Sequence, residues 1–274
     1  MKNDNKFENI SSFDFKKKFG QNFLTDKNLL SALVKDANVN QDEYVLEIGV
    51  GAGALTEVLV NVAKKVVGFE IDKQLCEFLQ EKFSNKNNIE LVFLDALKTK
   101  TEIIDDMFDG NYRIVANIPY YITSPLIFKF LEGSKKCVSQ ALMVQKEVAQ
   151  RICALPNTEN YGAMSVVCQH FNKCKILRVI SKKMFRPMPK VDSAFIMLEK
   201  TKPFDFDYSY LVRSSFAMRR KTLINNLLKA YSFEKQSLIE IFNFLNWDLN
   251  IRAESLSESE YLLLLGQIKT KMSK

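Results

Sequence analysis

From residue 44 to about residue 200 the chain alternates short apolar runs with longer amphipathic ones. Residues 44–48 (YVLEI), 66–69 (VVGF), 89–93 (IELVF), 112–116 (YRIVA) and 140–144 (QALMV) each read as a buried strand. Runs of this length, mostly apolar, suit strands covered on both faces. Between them lie helical patterns, at 55–62 and at 72–83, where Leu75, Phe78, Leu79 and Phe83 recur at helical spacing. Strand and helix in turn predict a doubly wound, Rossmann-like α/β sheet. Two later runs, 175–180 (KILRVI) and 194–198 (AFIML), are expected to close the sheet as a hairpin-like pair.

The pattern changes near Pro203, in a polar stretch over 201–207. Helical periodicity then dominates, at 208–216, 221–230, 234–244 and 258–269. Ser257 and Glu260 have the spacing of a capping box at the start of the last run. The expected division is an α/β unit over 1–202, with an N-terminal arm, and a small all-helical unit over 203–274.

Composition sharpens this outline. With 274 residues and 47% hydrophobic content, the chain has material for a sizeable core. Its net charge of +7 favours polyanionic partners. The polar N-terminus lacks the apolar centre of a signal peptide, and the apolar run at 261–265 is far shorter than a bilayer span. A cytoplasmic, non-membrane protein is expected. Five cysteines without a CxxC pair argue against a disulfide framework. Cys168, His170 and Cys174 lack a fourth ligand at recognisable spacing, so reduced thiols and no metal are expected. His170 is the only histidine, which weighs against a Ser-His or Cys-His hydrolase.

The candidate chemistry begins at residues 44–56, YVLEIGVGAGALT. Gly49, Gly51 and Gly53 follow a strand and precede a helix, where glycine lets backbone amides approach a ligand closely. Glu47 precedes the loop. Glu70 ends the second strand, where an acid can accept two ribose hydroxyls, and Asp95 ends the third, within reach of an adenine amino group. Three acids at the carboxyl ends of successive strands face the ligand crevice of such a sheet. Taken singly, each also fits a solvated loop acid. The glycine loop with Glu70 fits NAD as well as another nucleoside cofactor.

The next motif tips that balance. Residues 116–125 read ANIPYYITSP, after the fourth strand. Asn117, Pro119 and Tyr120 form the NIPY version of a signature used to methylate planar, non-basic amines. The lone pair of such an amine is delocalised into the ring, so it must be held and turned toward the methyl donor. The Asn117 side-chain oxygen and a carbonyl near Ile118 can accept the amine hydrogens, and Tyr120 can stack on the base. This is catalysis by orientation and electrostatics, with no obligatory strong base. A bare helix-start turn is the other reading of the proline.

Over nearly its whole length the sequence resembles the KsgA-type (RsmA) family of rRNA adenine dimethyltransferases. The resemblance is carried by KFGQNFL at 18–24, the glycine loop, NIPY, QKEVAQR at 145–151, YGAMSV at 161–166, MFRPMPKVDS at 184–193 and FAMRRKTLINNL at 216–227. It implies S-adenosyl-L-methionine as cofactor, touched by Asn22, Leu24, Gly49, Gly51, Glu70, Asp95 and Asn117. It implies catalytic positions at Asn117, Tyr120 and Phe185, the two aromatics sandwiching the target base. The implied substrate is two adjacent adenosines near the 3′ end of small-subunit rRNA, within a pre-30S particle, acted on by a monomer. Two departures stand out: EIGVGAG where many relatives read EIGPG, and Tyr121 where others carry asparagine or histidine. The macrolide-resistance enzymes of the large subunit share QNFL and NIPY and are the rival family. A ribosome-assembly or nucleic-acid-binding factor without catalysis is the rival class, against which the intact Asn117, Tyr120, Glu70 and Asp95 stand.

Basic residues cluster at 16–18, at 182–190, and at Arg213 with Arg219, Arg220 and Lys221. Solvated surface would explain any one of them. Flanking a substrate crevice, they would supply salt-dependent phosphate contacts, with selectivity left to RNA shape and extrusion of the target base.

Overall fold

The computed structural model describes residues 23–272. Asn22, the lysines at 16–18 and most of KFGQNFL lie outside the described residues. The chain enters through a two-residue strand, β1 (Phe23–Leu24), and helix α1 (Lys27–Asp36), capped by Asp26, whose carboxylate accepts the Asn28 and Leu29 amides. It then alternates: β2 (Tyr44–Ile48), α2 (Ala54–Leu59), β3 (Lys65–Phe69), α3 (Cys76–Lys82), β4 (Ile89–Val92), α4 (Thr101–Asp105), β5 (Tyr112–Asn117), α5 (Thr123–Gly133), β6 (Cys137–Gln145). Helices α6 (Lys146–Ile152) and α7 (Ala163–Phe171) lead to β7 (Asn172–Ile180), β8 (Phe185–Arg186) and β9 (Ser193–Lys200).

Seven strands form one sheet in the order β4-β3-β2-β5-β6-β9-β7. The first five are mutually parallel. β9 runs antiparallel to both β6 and β7, between which it inserts. The expected pair at the sheet's end is therefore present, with the later strand on the inside. Neighbouring residues along each central strand enter opposite cores. Val45, Val66 and Val115 pack with α1, α2 and α3; Leu46, Val67 and Ile114 pack with α4 and α5. Burial on both faces is why these strands are continuous apolar runs.

Beyond Pro203 come α8 (Phe206–Ser215), α9 (Leu223–Ala230), α10 (Lys235–Phe244) and α11 (Glu258–Met272). The Ser257–Glu260 box forms: Glu260 accepts the Ser257 amide at 2.7 Å, and Ser257 Oγ accepts the Glu260 amide at 3.4 Å. These helices share a core with Leu131, Tyr161, Val166, Val167 and Phe171 of the preceding elements. His170 lies on the seam, its Nδ1 2.7 Å from Glu258 and its ring stacked on Tyr208.

The structure shortens two expected helices at their facing ends, by Phe216 on one side and by residues 221–222 on the other. Residues 216–220 form a turn, and α9 starts at Leu223. The buried side chain of Asn226 holds this turn: its Nδ2 donates to the Ser215 and Met218 carbonyls, at 2.7 and 3.2 Å, and its Oδ1 accepts the Met218 amide at 3.1 Å. A side chain that serves three backbone groups replaces the helical bonds these residues forgo.

Candidate active site

One cavity opens at the carboxyl ends of β2, β3, β4 and β5, the crevice where a doubly wound sheet binds its ligands. Residues of all four strand ends line it, together with Phe23 and Leu24 of β1 and the Tyr120–Ile122 turn. The glycine loop forms its floor. Gly49, Gly51 and Gly53 all take positive φ, at +81°, +55° and +77°, a region costly for residues with a Cβ. A Cβ on Gly51 would also lie 2.9 Å from the Phe23 ring.

Two carboxylates fix the loop, by different means. Glu70 is buried at the end of β3, with its Oε2 accepting the Gly51 amide at 2.7 Å and its Oε1 the Asp72 amide at 2.9 Å. Burial raises its pKa, and the backbone hydrogen bonds oppose that rise. Glu47, only 1% exposed, accepts the Thr56 hydroxyl at 2.7 Å. Burial, opposed by the Thr56 hydrogen bond, pushes its carboxyl up to about 8. Burial thus favours the uncharged form of this carboxyl. Asp95 sits on the far wall, its Oδ1 accepting the Leu97 amide at 2.9 Å.

Asn117 ends β5 and lines the same cavity, followed by Ile118, Pro119 and a 3-10 turn over Tyr120–Ile122. The Tyr120 hydroxyl is 2.7 Å from Ser193 Oγ, at the start of β9. That bond ties the ring to the sheet, and burial holds the phenol pKa above its usual value.

Of the positions expected from sequence, Leu24, Gly49, Gly51, Glu70, Asp95, Asn117 and Tyr120 line this one cavity. Phe185 does not. Strand β8 pairs with β1, placing Phe185 opposite Leu24. Alternation along β8 turns Arg186 outward and Phe185 inward, where its ring is 0% exposed among core residues. Tyr120 thus lines the cavity, while Phe185 packs in the core opposite Leu24. Sequence reasoning missed Ile71 and Leu94 and noted Tyr121 only as a departure from relatives; all three line the cavity and are exposed. Their signal was faint: each directly follows or precedes an assigned polar or aromatic position.

The basic clusters differ in their surroundings. Arg213 is ion-paired with Glu132 and lies 4.4 Å from the Phe128 ring centre, so it stitches α8 to α5. Arg219 donates to the carbonyls of Glu159 and Tyr161. Arg220, Lys221, Lys183 and Lys190 are exposed. Among the described residues no helix is long and apolar enough to cross a membrane.

Comparison with known proteins agrees with this geometry. Residues 12–264 match the family model described as ribosomal RNA adenine dimethylase. The chain is 41% identical to the ribosomal RNA small subunit methyltransferase A of Mycoplasmopsis pulmonis, over 93% of this chain and 99% of that one. It is 43% identical to the protein of the same name from Caldanaerobacter subterraneus subsp. tengcongensis, over 92% and 97%. A dimethyladenosine transferase from Plasmodium falciparum has a similar structure, with TM-score 0.79, 28% identity and coverage of 91% and 98%. The 23S rRNA methyltransferase ErmE aligns with TM-score 0.68 and 25% identity, over 90% and 100%. In matched length, motifs and fold, the chain belongs to the ribosomal RNA adenine dimethylase family.

Proposed function

We propose that the chain is an S-adenosylmethionine-dependent enzyme that dimethylates the exocyclic amines of two adjacent adenosines near the 3′ end of small-subunit rRNA. The observation that carries this reading is the convergence of Glu70, Asp95 and the Asn117–Tyr120 segment on one cavity floored by a positive-φ glycine loop. The donor set fits the cofactor: Glu70 keeps lone pairs for ribose hydroxyls after serving two amides, and Asp95 offers an acceptor to adenine. S-adenosylmethionine supplies an electrophilic methyl group on a sulfonium when bound.

The protein's share is alignment. Asn117 Oδ1 accepts one amine hydrogen and a carbonyl near Ile118 the other, which turns the nitrogen lone pair toward the methyl carbon. Tyr120, immobilised by Ser193, stacks on the adenine. Apolar Leu24, Ile48 and Ile118 keep water from the reacting atoms. Greater identity to the small-subunit relatives than to ErmE favours the small-subunit substrate over the large. Within this reading the α/β unit over 1–202 carries the chemistry, the helical unit over 203–274 docks RNA or subunit, and a cytoplasmic monomer acts on a pre-30S particle.

The test is to incubate the protein with methyl-labelled cofactor and under-methylated small subunits, then map the label. Two adjacent dimethyladenosines near the 3′ end are expected. Label on large-subunit rRNA would overturn the substrate. Tight binding with no transfer to any assembly intermediate would replace the enzyme with a binding factor.

A further inference from the structure

Two tyrosines in succession line the cavity after Asn117, the half-buried Tyr120 and the exposed Tyr121. Tyr121 lines the cavity, is 67% exposed, and makes no hydrogen bond among the described residues through its hydroxyl. It follows Tyr120 in a 3-10 turn. At about three residues per turn, neighbouring side chains point roughly 120° apart. With the Tyr120 ring tied inward to Ser193, that of Tyr121 cannot share its face. Leu94, 52% exposed, lines the same cavity. An exposed tyrosine lining a cavity alongside exposed apolar side chains is a surface for a planar ligand.

We propose that Tyr121 is a specificity-determining stacking platform for the nucleotide next to the target adenosine. This inference rests on the proposed rRNA substrate. Drawing one base into the slot unstacks its neighbour in the strand, at a cost of a few kcal/mol. A base of either kind has a π-face, and an exposed aromatic ring on the cavity lining recovers part of that stacking. Because the substrate holds two adjacent adenosines, the base parked on Tyr121 is the second target while the first is inside. The platform thus orders the segment for both rounds, and its ring, not its hydroxyl, does so.

The experiment uses the full chain and a small-subunit rRNA hairpin with 2-aminopurine at the adenosine beside the target. Single-turnover methylation and 2-aminopurine emission are measured for the unaltered protein, Tyr121→Ala and Tyr121→Phe. Stacking on the ring should quench the probe. Tyr121→Ala is expected to lose that quenching and to raise the apparent KM for RNA about tenfold or more, with kcat changed less. Tyr121→Phe, which keeps the ring, should restore both, and calorimetric affinity for S-adenosylmethionine should be alike in all three. Equal quenching and equal KM for the alanine variant overturn the platform and leave the enzyme assignment intact. No methylation by the unaltered protein overturns the function and this inference with it. A fall in kcat alone, with quenching retained, places Tyr121 among groups supporting Tyr120 and also overturns the platform.

Discussion

Glu70 Oε2 accepts the amide of Gly51 at 2.7 Å, joining the end of one strand to the glycine loop after another. The acid proposed to hold the ribose is thus also a strut of the loop beneath the cofactor. Its substitution removes a ligand contact and loosens the cradle together.

Glu70→Ala should therefore weaken S-adenosylmethionine binding by more than one lost contact. Hydrogen bonds to charged groups are worth about 1.5–3 kcal/mol, so a loss of about tenfold or greater is expected. Calorimetric titration measures it. Unchanged affinity would remove Glu70 from the site.

Glu47 carries a pH dependence whose sign follows from its burial. An unfolded glutamate titrates near about 4.3, whereas folding raises Glu47 to about 8. Between those values the folded state binds more protons than the unfolded state, so stability falls as pH rises through this window. Glu47→Gln keeps an acceptor for Thr56 and cannot ionise. Its melting temperature relative to the unaltered protein should climb from pH 5 to pH 8. A constant offset across that range would show that Glu47 ionises normally.

The turn between α8 and α9 separates charge from architecture. Arg220 and Lys221 are exposed on it, while Arg219 is bonded to carbonyls and Asn226 holds the turn from beneath. Arg220→Ala with Lys221→Ala should weaken rRNA binding and flatten its dependence on salt, with cofactor affinity unmoved. An unaltered salt slope would make these residues solvated surface. Asn226→Ala leaves buried backbone groups without partners and should cost about 1–3 kcal/mol of stability in denaturant unfolding.

Much of this was legible in the sequence. The central strands of the main sheet announced themselves because both faces are buried, and the glycine loop, Glu70, Asp95 and Asn117 because strand ends fix their places. The burial of Phe185 was not legible, because a two-residue strand carries too little alternation to tell which face is buried. The break between α8 and α9 was legible, but its hold by Asn226, eight residues beyond Met218, was not. The Glu70–Gly51 bond was equally silent: its partners are nineteen residues apart and meet only when β2 and β3 pair.

Asn117 decides between enzyme and binding factor. Its side chain stands at the end of β5 on the cavity wall, one residue before the carbonyl proposed to share the target amine. Asn117→Ala leaves the exposed lysines and arginines untouched, so subunit binding should persist. Removing one preorganised polar partner at a reacting centre commonly costs about a hundredfold or more in rate. Single-turnover transfer to under-methylated subunits should fall by at least that factor while filter binding of the same subunits holds. Transfer near the unaltered rate would mean the amine is oriented by other groups. Parallel loss of binding and transfer would mean that Asn117 supports the cavity's shape, because a group acting only on the reacting amine has no hold on docking.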